Sequence, residues 1–187
     1  MERAFLFYMH RSFSFRHLTS TSIAFSFWLL VSCLLLLNSC SFNPNYQRKG
    51  SDFLQGEWKQ DSVERQKLLV SYELHNFRFT CDSFYVSIAS NSKVNYGADT
   101  CMNSGHWMEY AKGTYEQQSD TLHLKGFFCN PDFSLKKEGG CFRFGAYVED
   151  FKISSKSDSA LALLSFSSTI PVKLRLVKRV PCVEKPL

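Results

Sequence analysis

The chain has 187 residues, with 22 Lys and Arg against 17 Asp and Glu, a formal charge of +5, and 18 Phe among its aromatics. The charges of both signs are dispersed, and no basic stripe interleaved with aromatics argues for nucleic acid as a partner. Few Gly and Pro beside a high aromatic share suit a β-rich core with bulky inward side chains.

Residues 1–39 fall into two parts. A basic, acid-poor lead carries Arg3, His10, Arg11, Arg16 and His17, and an apolar run follows from Ile23 to Leu37. The run has the length of a secretory h-region and falls short of the ~20 residues that span a bilayer. The positive flank holds its start on the cytoplasmic side. Met9 is an alternative start to Met1 and leaves everything downstream unchanged.

The run closes in Leu37-Asn38-Ser39-Cys40. This resembles the bacterial lipobox, in which a leucine, a tolerated residue and a small residue precede a cysteine. The resemblance implies cleavage between Ser39 and Cys40 and lipidation of the Cys40 thiol, palmitate being the usual acyl chain. Asn38 departs from the commoner Ala, Ser or Thr. Two or more acyl chains, at ~0.8 kcal/mol per buried CH₂, make a stable membrane anchor. The alternatives are an uncleaved anchor, or plain secretion with Cys40 a bystander. Ser41 is not the Asp that retains familiar Gram-negative lipoproteins at the inner membrane. By that analogy the expected location is the outer membrane, lipid-anchored on its periplasmic face.

From Cys40 onward 148 residues remain, with 19 Lys and Arg against 16 Asp and Glu. That is enough for one domain with a real core. Residues 40–52 are polar, turn-rich and aperiodic, and read as a lipidated tether. Residues 53–180 read as the folded domain and 181–187 as a tail. Ser62 to Leu69 is helix-friendly, a short helix or a long first connection. Period-two alternation governs the rest. It runs through Phe77, Phe79 and Cys81, then Phe84, Val86 and Ile88. It resumes from His106 to Glu116, at Leu122, Leu124 and Phe127, and from Phe142 to Ile153 with a phase change near Gly145. It ends at Leu161, Leu163 and Phe166, and at Val172, Leu174 and Leu176. About eight strands with short links make an antiparallel up-and-down meander, which closes most economically as a barrel. A two-sheet β-sandwich is the alternative.

Five cysteines lie downstream of Cys40: Cys81, Cys101, Cys129, Cys141 and Cys182. In an oxidising compartment disulfides are the default, and an odd number leaves one over. Cys81 with Cys101 is the expected pair, since a loop returns the chain between them, with two of Cys129, Cys141 and Cys182 forming another. No Cys-x-x-Cys and no spaced His pair points to a metal, and no cofactor is expected.

Phe53-Leu54-Gln55-Gly56-Glu57-Trp58 opens the folded part. Gly-x-Trp entering a first strand resembles the start of lipocalin-like domains. The resemblance implies an eight-stranded barrel closed at one end by Trp58 beside Gly56, with an Arg of the last strand, Arg175 or Arg179, packed across the indole. It rests on three residues and the strand pattern. The stretch 103–115 is similar to small lipoproteins of Bacteroidota, some of them labelled fumarate hydratase. The Gly-Ser-Ser loop of one fumarase class and the cluster cysteines of the other are absent.

No catalytic constellation is legible. His75 and His123 read as solvent-facing. His106 and Glu109 differ in parity and point to opposite faces of a strand. No Gly-x-Ser-x-Gly elbow occurs. The chain reads as a non-enzyme, with three functions in descending order. The first is a barrel binding a small apolar ligand or lipid, lined by Trp107, Tyr110, Tyr115, Phe142, Phe144 and Tyr147. The second is a filled barrel whose loops at 90–105 and 129–141 touch an envelope protein. The third is a hydratase, for which no site is visible.

Overall fold

A computed structural model describes residue 28 and residues 47–94, 99–137 and 142–185. The chain divides into two units, Met1–Asn43 and Pro44–Leu187. The lipobox, including Ser39 and Cys40, lies outside the described residues, as does Cys141. Among the described residues no helix is long and apolar enough to cross a membrane.

The second unit is a closed antiparallel barrel of eight strands in sequence order. They are β1 (Gly56–Lys59), β2 (Ser71–Thr80), β3 (Ser83–Ser92), β4 (His106–Gln118), β5 (Thr121–Cys129), β6 (Ala146–Lys156), β7 (Ala160–Ser165) and β8 (Val172–Lys178). β1 pairs with both β2 and β8, which closes the sheet and excludes the sandwich. Two-residue turns join β2 to β3 and β4 to β5. Their first residues, Cys81 and Ser119, have positive φ of 53° and 55°. The segment Ser62–Leu69 is a connection holding one 3₁₀ turn, Gln66–Leu68. Phe142 and Phe144 precede β6 rather than belonging to it, because positive φ at Phe142 (62°) and Gly145 (86°) breaks the extended run there.

Alternation sorts the side chains. Phe77 and Phe79 of β2, Phe84, Val86 and Ile88 of β3, Leu122 and Leu124 of β5, Phe151 of β6, Leu161 and Leu163 of β7 and Leu174 of β8 are all buried in one core. Its rings pack at preferred geometries, with Phe77 edge-on to Phe151 at 6.1 Å and Phe79 edge-on to Tyr115 at 5.1 Å.

One cross-strand row shows how the interior is filled. Phe84 pairs with Gly113, Gly113 with Gly126, and Gly126 with Tyr147. Two rings flank two residues without side chains, and the Phe84 and Tyr147 rings meet 5.6 Å apart. The β4 and β5 backbones approach closely here. A Cβ on Gly126 would lie 2.0 Å from the Lys112 carbonyl oxygen, and one on Gly113 2.1 Å from that of Lys125. Glycine inside a strand is tolerated where another backbone comes this near.

The two ends of the barrel differ. At one end the chain from Gln47 to Gln55 crosses beneath the strands. The Gln55 amide donates to the Cys81 carbonyl (2.8 Å) and the Tyr115 hydroxyl (2.9 Å), and its carbonyl accepts from the Cys81 N–H at 2.7 Å. The Trp58 indole N–H donates to the Leu54 carbonyl at 2.7 Å. Burial pushes the Tyr115 phenol up to about 12, so it remains a neutral partner in this network. The Arg179 guanidinium lies 5.5 Å from the Trp58 ring and donates to the carbonyls of Phe53 and Asp158, each at 2.7 Å. Arg175 does not take part. Its odd position in β8 faces outward, where it pairs with Asp61.

The disulfides depart from expectation. Cys81 bonds Cys182, 101 residues away, and ties the β2–β3 turn to the C-terminal segment. Cys101 is disulfide-bonded as well, but not to Cys81, and Cys129 is a buried free thiol. Nearness in sequence misled here. Cys81 lies at the closed end and Cys101 follows β3 at the opposite end, a strand length away. A bridge closing a loop of this size adds about 2–5 kcal/mol by restricting the unfolded chain.

Gly126→Ala is expected to destabilise the barrel by about 1–3 kcal/mol, the usual penalty for forcing atoms into filled space. A urea midpoint unchanged from the parent would show that the β4–β5 approach is not constrained.

Candidate functional site

The other end carries the four longer connections and opens into a cavity of about 460 Å³. Above the apolar core the inward positions turn polar. Glu73 and His75 extend the inward row of Phe77 and Phe79 on β2, and Ser90 and Ser92 that of Ile88 on β3. Trp107 and Glu109 lie above Ala111 on β4, Glu149 lies between Tyr147 and Phe151 on β6, and Ser165 lies above Leu163 on β7. Ile88, Phe151 and Val172, with Val63, Ile170 and Pro171, form the aliphatic and phenyl part of the lining.

One guanidinium organises the rim. Arg143, from the β5–β6 connection, reaches back to Glu109, which is only 6% exposed. Its Nε lies 3.1 and 3.0 Å from the two carboxylate oxygens, its Nη2 2.6 Å from Oε2, and its backbone N–H donates to Oε1 at 3.0 Å. The same Nη2 donates to Glu73 at 3.2 Å. The side-chain bond to Glu109 holds the Arg143 pKa above its ordinary value. The neighbouring Phe142 stacks on Trp107, 5.3 Å apart and within 8° of parallel. Together these contacts fasten the connection across part of the mouth.

Glu149 is held differently. Its Oε1 accepts from the hydroxyls of Ser165 and, at 3.0 Å, Ser167. Among the described residues it makes no ion pair.

His75 is the interior histidine, and the sequence reading that placed it in solvent is corrected. Its parity is that of Phe77 and Phe79, and its side chain is 13% exposed. Its surroundings determine the tautomer. The backbone N–H of His75 donates to Gln60 Oε1 at 3.0 Å, which identifies that atom as the amide oxygen. His75 Nδ1 lies 3.2 Å from the same oxygen and must therefore carry the proton. Nε2 is left as a lone-pair acceptor, with Glu73 Oε2 3.9 Å away. Burial first, and then the Arg143 charge, lowers the His75 pKa to about 4.

The six aromatics expected as a ligand lining separate. Trp107 and Tyr147 line the cavity. Tyr115 lies in the floor at the closed end, bonded to Gln55. Tyr110 faces outward and packs edge-on against Phe133 at 5.8 Å. Phe142 backs Trp107, and Phe144 is 53% exposed. Tyr110 is excluded by its even position in β4, whereas Phe142 and Phe144 line, with Trp107, a second and more open recess beside Glu109 and Arg143. His106 bonds Asn91 at 2.7 Å on the outer face, away from Glu109, and His123 pairs with Asp150 at 2.7 Å across β5 and β6.

Polar residues on a strand read as solvated, which hides Glu73, His75 and Glu149 from a sequence reading, and Arg143 is hidden with them. The signal was present for three of them. Each carboxylate and the histidine shares the parity of large apolar neighbours on its own strand, the mark of an inward polar group. Arg143 lies in a connection, where no periodicity operates. Among the described residues no group of three or more His, Cys, Asp or Glu is placed to hold a metal.

No protein family, curated protein or solved structure matches this chain.

Stability is expected to fall between pH 6.5 and pH 4 through His75. The folded ring binds its proton near 4 and the unfolded ring near 6.5, so stability is fully present above 6.5 and lost as pH falls toward 4. At 1.36 kcal/mol per unit the loss approaches about 3 kcal/mol. His75→Gln removes this dependence. Urea midpoints of parent and variant that track each other over that range would refute it.

Proposed function

We propose that the chain is a membrane-anchored envelope lipoprotein whose barrel binds a small molecule in its open end. The observation that carries the binding reading is the cavity of about 460 Å³ above a sealed floor, within the size range of small-molecule sites. Its lining bears on what it takes. Ile88, Phe151, Val172, Trp107 and Tyr147 suit an apolar group, a lipid fragment included, while Glu73, His75 and Glu149 require that part of the ligand be polar. A barrel filled entirely by its own side chains has no such space. The hydratase reading gains no support from this lining.

A second role, contact with an envelope protein, is favoured by one feature. Phe127 of β5 and Val148 of β6 are 55% and 62% exposed on the outer face, and Phe144 lies just before β6. Both roles are compatible with one molecule.

The anchor reading rests on the apolar run and the lipobox-like Leu37-Asn38-Ser39-Cys40. A tether from Cys40 to Gln47 spans at most about 25 Å when fully extended. Gln47 is bonded at the closed end, its N–H donating to the Lys185 carbonyl at 2.9 Å and its amide to Ser83. An acylated Cys40 therefore holds the closed end within about 25 Å of the bilayer surface.

Radiolabelled palmitate is expected to enter the parent and not Cys40→Ala, and label retained by the variant would sink the anchor. Native mass spectrometry of protein extracted from its own membrane is expected to show a co-purifying small molecule. A spectrum holding only the acylated polypeptide would count against ligand carriage.

A further inference from the structure

We infer that the cavity selects a small organic cation, an ammonium carried on an apolar group. The inference rests on the binding reading above and specifies its ligand. Three observations combine. The first is a charge imbalance. The lining holds two carboxylates, Glu73 and Glu149, and one guanidinium, Arg143, which is already bracketed by Glu109 and Glu73. An anion entering the mouth finds no free positive charge in the lining, and Glu149 has only hydroxyl donors.

The second is the direction of the polar atoms that line the cavity. His75 Nε2 offers a lone pair, because Gln60 fixes the proton on Nδ1, and Glu73 Oε2 offers another 3.9 Å away. Among the described residues no donor hydrogen-bonds that Nε2, and its ring stays neutral at physiological pH. Two acceptors at this separation match one multi-proton donor. An ammonium nitrogen about 2.9 Å from each, an ordinary hydrogen-bond length, bridges both. A hydroxyl has one proton and satisfies one of them.

The third is what surrounds these acceptors. Trp107, stiffened by Phe142 stacked on it, presents an aromatic face, the surface that attracts a cation. Ile88, Phe151 and Val172 receive an apolar substituent. A bare metal ion fits neither the apolar lining nor the donor set, since among the described residues no three acidic or metal-binding side chains converge.

The test uses three probes with one phenyl group and different charge: phenethylammonium, 2-phenylethanol and phenylacetate. Each is titrated into the oxidised full chain at neutral pH and followed by ligand-observed NMR. The ammonium is expected to bind at least tenfold tighter than the alcohol, with phenylacetate weakest. Glu73→Gln is expected to reduce the advantage of the amine over the alcohol to less than threefold, and Glu149→Gln serves if the first variant does not fold. An alcohol that equals the amine, or a preference for phenylacetate, would overturn the cation inference while leaving the cavity a binding site. Failure of all three to bind would remove the binding reading itself, and the inference with it.

Discussion

A closed sheet has no edge and only one interior, so every second residue of all eight strands must share the same enclosed space. That constraint governs the rest of this molecule. It collects phenylalanines and leucines from β2 to β8 into one core. It also makes the inward carboxylates and His75 take partners from neighbouring strands and connections, Arg143, Ser165, Ser167 and Gln60, because solvent reaches them only through one end. Where rings are large their cross-strand neighbours must be small, as Phe84 and Tyr147 show against Gly113 and Gly126.

The closed end and the open end answer different physical demands. The closed end must exclude water while ending several backbone segments. It does so with neutral groups: the Gln55 amide, the Tyr115 phenol, the Trp58 indole and the carbonyls they meet. Arg179 contributes its charge from the outer side of the indole, where its donors reach carbonyl oxygens rather than a buried acid. The open end keeps its charges. Arg143 with Glu109 and Glu73 is worth less than a fully buried pair because the guanidinium is 48% exposed. Its larger effect is geometric, fixing Phe142 against Trp107 and shaping the entrance.

The cavity owes its polarity to a sequence of local constraints rather than to any one residue. A backbone N–H orients Gln60, Gln60 fixes the His75 tautomer, and the tautomer turns a lone pair toward Glu73. Serine hydroxyls hold Glu149 without neutralising it. The result is a pocket rich in acceptors over an apolar base. A pocket of that kind discriminates by the charge and donor count of what enters, not by hydrophobicity alone.

Alternation in the amino-acid sequence by itself determined that the domain is all-β with about eight antiparallel strands in meander, and the inward places of most apolar strand residues, though not those of Tyr110 and Phe127, which face out. Period two is a local property, and neighbouring strands with short turns leave little choice of partner. Gly56, Trp58 and an Arg near the end were also legible as a group, but not which Arg, since Arg175 and Arg179 differ by how β8 meets β1 at a bulge. The inward parity of Glu73, His75, Glu109 and Glu149 was legible too, yet polarity pointed the other way. Only the tertiary structure decided that Cys81 meets Cys182, that Cys129 stays free, and that Arg143 turns back over the mouth. Those contacts join residues far apart in the chain through barrel closure and irregular loops, where sequence spacing carries no information about distance.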